Sequence, residues 1–453
     1  MLPRRLPPSL HFLPRRPSSP PLDKLMSDTT WADGLRGIAA FFVMSSHITL
    51  CIATFTVAPS RGAGQGAYLF QRPIFRLVAQ GPAWVALFFV LSGFVLSLKP
   101  LRQAKGLDPE AALMGLNAAA FRRIWRLVLP AAAATVVSWA VCQVGGYEVA
   151  NASDSYWIRD TAAVRTPGFF TPVRKLVGAI TQTWSLYPAN AYDQPQWALM
   201  YLLQGSFYVF MVLTATVRLR PKWRAAVVLF LMWWSLDWSG KIADPLVGIS
   251  VFAGVLLAEL TLSPLPMRMA HWTLIPAVPV SILALILMSF PSEFQETAPW
   301  SAFLLRIHLT YFPQSTYINI NRLWPTIGSI LLTATIIVTP TLRQLLRHRA
   351  LIWLGKISFP LYLLHGMLLR TVFAWLLHAF SHKVEVLEGD GNVVLRYPMP
   401  GPLHTAFALM GFLASVLVAS HAWAQRVEPL FGRITAAVER MMAAEKGVLP
   451  VKR

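Results

Sequence analysis

The feature that most constrains this chain is a succession of long apolar segments separated by short loops rich in Lys and Arg. Each apolar segment is close to the ~20 residues that an α-helix needs to cross a hydrocarbon core of ~30 Å. Only helices and closed barrels satisfy their backbone polar groups in lipid. The pattern predicts an all-α fold, a polytopic transmembrane helix bundle of about ten spans. The predicted spans are 35–57, 83–98, 127–144, 197–217, 225–239, 245–262, 272–290, 326–342, 351–377 and 404–423, with 300–313 as an ambiguous eleventh.

The composition agrees with a lipid environment and argues against a nucleic-acid-binding protein. Of the 453 residues, 55% are hydrophobic and 13% are charged, whereas a soluble domain averages about 25% charged residues. The net charge of +20 arises from basic residues in short loops and not from a basic face on a polar domain. Cys51 and Cys142 both lie in apolar segments, so neither a disulfide framework nor a metal site is predicted.

The distribution of Lys and Arg predicts the topology of the chain. Basic residues concentrate in alternate loops, most clearly at 218–224 and 343–349, and such loops usually face the cytosol. Both termini are therefore predicted to be cytosolic. Residues 1–30 are interpreted as a disordered, basic, Pro-rich cytosolic tail, 31–423 as the transmembrane domain, and 424–453 as a cytosolic C-terminal tail. The identity of the membrane, endomembrane or plasma membrane, is left open.

The first apolar segment contains an arginine and a histidine, which are costly inside a membrane and by default suggest function. His47 follows Arg36 by eleven residues. At ~100° per residue this spacing returns His47 to within ~20° of Arg36, about 16 Å further along the helix axis. The two side chains are thus predicted to share one face, with a basic group near the cytosolic interface and a proton acceptor deep in the bundle.

Each residue also has a simpler interpretation. Arg36 could be a cation whose side chain extends to the headgroup region, and His47 could be a hydrogen-bond donor between packed helices. A neutral imidazole nevertheless suits general-base catalysis near neutral pH.

The first segment resembles the signature of a known family. The stretch Asp33–Gly37 followed by His47 resembles the first-helix motif of the acyltransferase 3 family of integral membrane acyltransferases, and fungal-type members in particular. In that family an Arg and a His with ten residues between them form the functional pair. Four further stretches of this chain resemble family motifs, in the same order as in the family. These stretches are Phe88–Phe94, Phe121–Pro130, Phe252–Glu259 and Leu354–His365.

The resemblance implies an activity and roles for particular residues. Members move an acyl group, usually acetyl, from acyl-CoA to a hydroxyl of a carbohydrate, lipid or small metabolite. His47 would then be the general base. The phosphates of acyl-CoA, the co-substrate, would bind arginines by charge-assisted hydrogen bonds. The candidate phosphate ligands are Arg36, Arg122, Arg123 and Arg126. His365 is a candidate for acceptor binding, although a structural hydrogen bond in the bundle explains it equally well.

One position departs from the family pattern. Leu202 stands where fungal-type members usually carry a Glu, while Trp197, Gly205 and Ser206 keep their places. This departure leaves open the hypothesis that the protein is a catalytically inactive relative that acts as a scaffold. A transporter or flippase, with Arg36 and His47 lining a substrate path, is a third possibility, although few acidic residues lie inside the spans.

Overall fold

The computed structural model describes the chain over residues 28–106, 108–242, 244–270, 274–312, 320–387 and 391–442. Most of the predicted N-terminal tail and residues 443–453 lie outside these ranges. The domain boundaries proposed from the sequence therefore stay predictions. The helix Glu428–Met442, inside the predicted C-terminal tail, packs against the helix Pro109–Gln143.

The described residues are almost wholly helical. The α-helices are Trp31–Ile52, Gly81–Lys105, Pro109–Gln143, Glu148–Asn151, Tyr156–Thr161, Phe170–Thr183, Trp197–Thr216, Pro221–Trp234, Trp238–Lys241, Val247–Leu262, Leu265–Met269, Leu274–Met288, Pro299–Tyr311, Ile320–Val338, Pro340–Leu346, Arg349–Lys356, Ser358–Leu368, Ala374–His378, Pro402–Arg426 and Glu428–Met442. A π-helical turn spans Leu369–Phe373, and 3₁₀ turns span Thr54–Thr56, Leu69–Gln71, Phe75–Ala79, Gln194–Gln196, Ser235–Asp237 and Gln295–Thr297. The strands Val384–Leu387 and Val393–Arg396 form an antiparallel hairpin in which Val384 pairs with Arg396.

The structure confirms the helical fold. It supports several membrane-spanning helices but not the predicted number of about ten. Among the described residues, seven helical segments are long and apolar enough to cross a membrane: Trp31–Ile52, Gly81–Lys105, Pro109–Gln143, Gln194–Thr216, Ile320–Val338, Ser358–His378 and Pro402–Met442. The predicted spans 225–239, 245–262 and 272–290 form helices of 14, 16 and 15 residues, shorter than the ~20 residues of a full crossing. About ten spans stays a prediction.

Proline and aspartate mark the starts of several helices. Proline occupies the first turn of helices beginning at Pro109, Pro221 and Pro299, where its missing N–H is not needed. The Asp108 carboxylate accepts a hydrogen bond from the Ala111 amide at 2.9 Å. Such caps satisfy amide groups that the helix leaves unpaired.

The helix Gly81–Lys105 lies at the centre of the bundle and contacts the helices Trp31–Ile52, Val247–Leu262 and Ile320–Val338. Its backbone and that of Val247–Leu262 approach each other closely. A Cβ at Gly93 would overlap the Val251 carbonyl oxygen, and one at Gly254 would overlap the Val90 carbonyl oxygen. Close approach between small residues is a main source of helix association in lipid, so this glycine contact fixes the centre of the bundle.

We expect Gly254→Ala to destabilise the protein because the added methyl group has no space between the two helices. Overpacking of this kind costs about 1–3 kcal/mol. Gly178→Ala is the matched control, because a Cβ at Gly178 meets nothing within 4 Å and Ala is favoured over Gly in a helix. Thermal unfolding in detergent, followed by tryptophan fluorescence, would measure both; equal midpoints for wild type and Gly254→Ala would contradict this packing.

Candidate functional site

Two cavities lie side by side within the bundle. One has a volume of about 500 Å³ and is lined by Arg36, Arg123 and Arg126; we call it the arginine cavity. The other has a volume of about 670 Å³ and is lined by His47; we call it the histidine cavity. Val85 and Tyr362 line both cavities, so these two residues stand at the boundary between them.

Arg36 is held against the segment that follows residue 348. Its Nε donates to Ser358 Oγ at 3.1 Å and its Nη2 to the Gly355 carbonyl at 2.9 Å. Nη2 also forms an ion pair with Asp33 Oδ1 at 3.1 Å. A Cβ at Gly355 would overlap the Asp33 carbonyl oxygen, so glycine is what lets the two backbones approach. Arg36 is thereby fixed at the wall of the arginine cavity.

Arg123 also faces the arginine cavity. Its Nε donates to Ser206 Oγ at 2.9 Å and its Nη2 lies 3.4 Å from Ser92 Oγ. Leu202, one turn before Ser206, lines the same cavity. The position that departs from the expected family pattern therefore contributes an apolar side chain to this cavity, and Glu428 is the acidic residue among those lining it. The cavity carries an excess of positive charge that suits an anionic ligand.

Arg122 lies apart from the other three arginines. Its Nε and Nη2 bind the Glu439 carboxylate at 2.9–3.1 Å, and it lines neither cavity. Since adjacent helix residues differ by ~100° in direction, neighbours in sequence need not face the same ligand. The structure brings Arg36, Arg123 and Arg126 together and leaves Arg122 on the outside; phosphate binding by any of them stays a prediction.

His47 and His365 form a directed pair. Nδ1 of His365 lies 3.0 Å from the Leu361 carbonyl oxygen, and its Nε2 lies 2.9 Å from His47 Nδ1. A carbonyl only accepts, so Nδ1 of His365 carries the proton and its Nε2 accepts from His47 Nδ1. In the neutral pair, this assignment leaves Nε2 of His47 with a free lone pair. His47 lines the histidine cavity.

His365 lies behind His47 and not in a cavity wall. Its side chain is fully buried, and it is absent from the residues lining either cavity. With both ring nitrogens engaged, it can orient His47 and fix its tautomer, as outer residues orient metal-binding histidines. Acceptor binding by His365 stays a prediction, and the geometry favours an action through His47.

Arg370 lies inside the predicted span 351–377, and the sequence alone does not indicate its partner; in the structure it faces Asp193. The two side chains are fully buried, with Nη1 and Oδ1 3.9 Å apart. Burial raises the pKa of the Asp193 carboxyl to about 7, while Arg370 and the hydrogen bond from Gln196 oppose that rise. A Cβ at Gly366 would overlap Asp193 Oδ1. The loop before the helix Trp197–Thr216 is therefore anchored inside the bundle by an ion pair.

The Asp193–Arg370 pair is linked to His47 through an aromatic ring. Arg370 donates from Nε to Thr161 Oγ1 at 3.2 Å and lies 5.6 Å from the centre of the Trp157 ring. Trp157 in turn stacks on His47, with ring centres 5.2 Å apart. Sequence reasoning missed Trp157 and Asp193, because both belong to the long segment 145–196, whose path over the bundle is a tertiary property. The signal that the sequence did offer was Arg370 itself, because an arginine inside a span is expected to pair with a buried acidic residue.

A model of the acyltransferase 3 family, described as an acyltransferase domain, matches residues 29–421. The chain therefore belongs to this family, and the resemblance identified from its motifs is confirmed. Several apolar helices and this membership make it a multi-pass membrane protein of an acyltransferase family. Within the described residues, no group of three or more His, Cys, Asp or Glu side chains could hold a metal ion.

Curated relatives are fungal acyltransferases. The O-acetyltransferase PaAT-1 of Phomopsis amygdali is 28% identical over 415 residues, which cover 83% of this chain and 78% of the relative. Acyltransferase R4 of Phoma sp. (strain ATCC 20986 / MF5453) and acyltransferase clz18 of Cochliobolus lunatus are 27% and 28% identical over 150 and 155 residues, about a third of each relative. No solved structure matches the chain.

We expect the Asp193–Arg370 pair to behave as a unit in stability measurements. Arg370→Met alone leaves a buried carboxyl without its cation and should cost roughly 3–5 kcal/mol, whereas Asp193→Leu together with Arg370→Met should recover most of that loss. Thermal unfolding of the single and double variants in detergent would measure the coupling. Additive losses from the two changes would contradict a direct interaction.

Proposed function

We propose that this protein is an integral membrane O-acyltransferase that moves an acyl group, usually acetyl, from acyl-CoA to a hydroxyl of a carbohydrate, lipid or small metabolite. The observation that carries the proposal is that two cavities share part of their walls. One is cationic, and the other is lined by a histidine with a free lone pair. This arrangement suits a polyanionic donor that enters from one side and a hydroxyl acceptor that enters from the other.

The arginine cavity suits the phosphates of acyl-CoA. Arg36, Arg123 and Arg126 all line it, and guanidinium matches phosphate oxygens in charge and geometry. The loop charges favour placing this cavity at the cytosolic face, with both termini on that side. The helix rise of ~16 Å from Arg36 to His47 is comparable to the reach of an extended pantetheine arm.

His47 would act as the general base on the acceptor. Its Nε2 takes the hydroxyl proton as the acceptor oxygen attacks the thioester carbonyl carbon, and a carbon–oxygen bond forms. The carbon–sulfur bond then breaks, and the imidazolium returns the proton to the leaving thiolate of coenzyme A. His365 accepts a hydrogen bond from His47 Nδ1, which stabilises the positive charge that develops on His47 during the first step.

His47→Ala tests the base directly. We expect at least a 100-fold loss of acetyl transfer because general-base catalysis contributes typically ~10²–10⁴-fold. The assay follows label from [¹⁴C]acetyl-CoA into an extractable product with purified protein, and it also separates an enzyme from a transporter or an inactive relative. His382→Ala, a change at an exposed loop position, is the control and should retain wild-type activity. Full transfer by His47→Ala would remove His47 from the mechanism.

Arg123→Gln and Arg122→Gln together test the phosphate site. Arg123 lines the arginine cavity and Arg122 binds Glu439 on the outside. Loss of a hydrogen bond to a charged group costs about 1.5–3 kcal/mol, so Arg123→Gln should raise the KM for acetyl-CoA roughly 10- to 100-fold. Arg122→Gln should change it less than about twofold, because this residue makes no ligand contact in the proposal. Equal effects of the two changes would contradict the site.

A further inference from the structure

The histidine cavity contains a cation that the proposed chemistry does not use. Arg322 and Trp197 both line this cavity, and the Arg322 guanidinium lies 5.0 Å from the centre of the Trp197 ring. A cation held over an indole face has a fixed orientation. Arg322 is therefore a residue of the cavity wall whose guanidinium lies against Trp197.

Arg322 has no hydrogen bond or ion pair to any of the described residues. A guanidinium group carries five N–H donors, and leaving these donors unpaired in a protein interior costs free energy. Most basic residues that point inward here have protein acceptors, as Arg36 and Arg76 do. Arg322 differs from them because its donors are directed at space that a ligand can occupy.

The other charged and polar groups of the cavity define what it can accept. Glu293 is the acidic residue among those lining it and is exposed to solvent, and His47 lines the same cavity. The rest of the wall mixes apolar and aromatic side chains, such as Phe55, with polar ones, such as Gln80 and Tyr156. A volume of about 670 Å³ is within the ~300–1,000 Å³ typical of sites for small organic ligands.

We propose that the acceptor is a small organic hydroxy acid whose carboxylate binds Arg322 while its hydroxyl lies at His47. The inference rests on the proposed function and narrows its acceptor class. Guanidinium binds carboxylate through two parallel hydrogen bonds, which would fix the distance of the hydroxyl from the base. Arg322 would thus determine acceptor specificity, whereas the arginine cavity would hold the donor.

Binding of matched acids and esters tests this inference without turnover. The probes are 4-hydroxybenzoate, 6-hydroxy-2-naphthoate and 12-hydroxystearate, each compared with its methyl ester by titration calorimetry on the full-length protein in detergent. We expect at least one acid to bind wild type at least tenfold more tightly than its ester. Arg322→Gln should remove that preference, Arg322→Lys should retain part of it, and His47→Ala should retain it in full.

Two controls make the outcome specific. Arg306→Gln removes a charge at an exposed position outside the cavity and should leave the preference unchanged, whereas Glu293→Gln should strengthen acid binding. If wild type shows no preference for any acid, or if the preference survives in Arg322→Gln, the inference is overturned. Since catalysis is not measured, that result leaves the acyltransferase proposal standing. Absence of acetyl transfer would contradict the acyltransferase proposal, and the titrations would then report only whether Arg322 binds a carboxylate.

Discussion

The contact between the helix Trp31–Ile52 and the segment Arg349–Leu368 is the constraint on which the candidate site depends. It binds Arg36 through Gly355 and Ser358 at one end, and it binds His47 through His365 at the other. Both candidate side chains of this helix are thus oriented by the same neighbouring segment. The distance between the cationic and the basic group is set by a rigid helix, and their direction is set by hydrogen bonds from one partner segment.

Buried polar groups far from water give this membrane bundle its specific arrangement. Hydrocarbon offers no alternative partners for an arginine or an aspartate, so Arg370 and Asp193 lie together and bring the segment before Trp197 into the bundle. The same segment supplies Trp157, which stacks on His47. A buried ion pair therefore couples the path of an outer loop to the position of the proposed base.

The sequence predicted the properties that follow from local periodicity. The helical class and the common face of Arg36 and His47 depend on helix geometry and apolar spacing. The four candidate phosphate ligands came with the family resemblance, and three of them line one cavity. The sequence did not predict that Arg122 turns away to Glu439, since that requires the position of a helix more than 300 residues later. It left the partner of Arg370 unnamed for the same reason.

A cryo-electron microscopy structure of the protein with a non-hydrolysable acetyl-CoA analogue, in which a methylene group separates sulfur from the carbonyl, would test the central claim most directly. The account predicts phosphate density against Arg36, Arg123 and Arg126, with the analogue's carbonyl carbon beside Nε2 of His47. Phosphates bound at the opposite mouth, or a carbonyl directed away from His47, would contradict it.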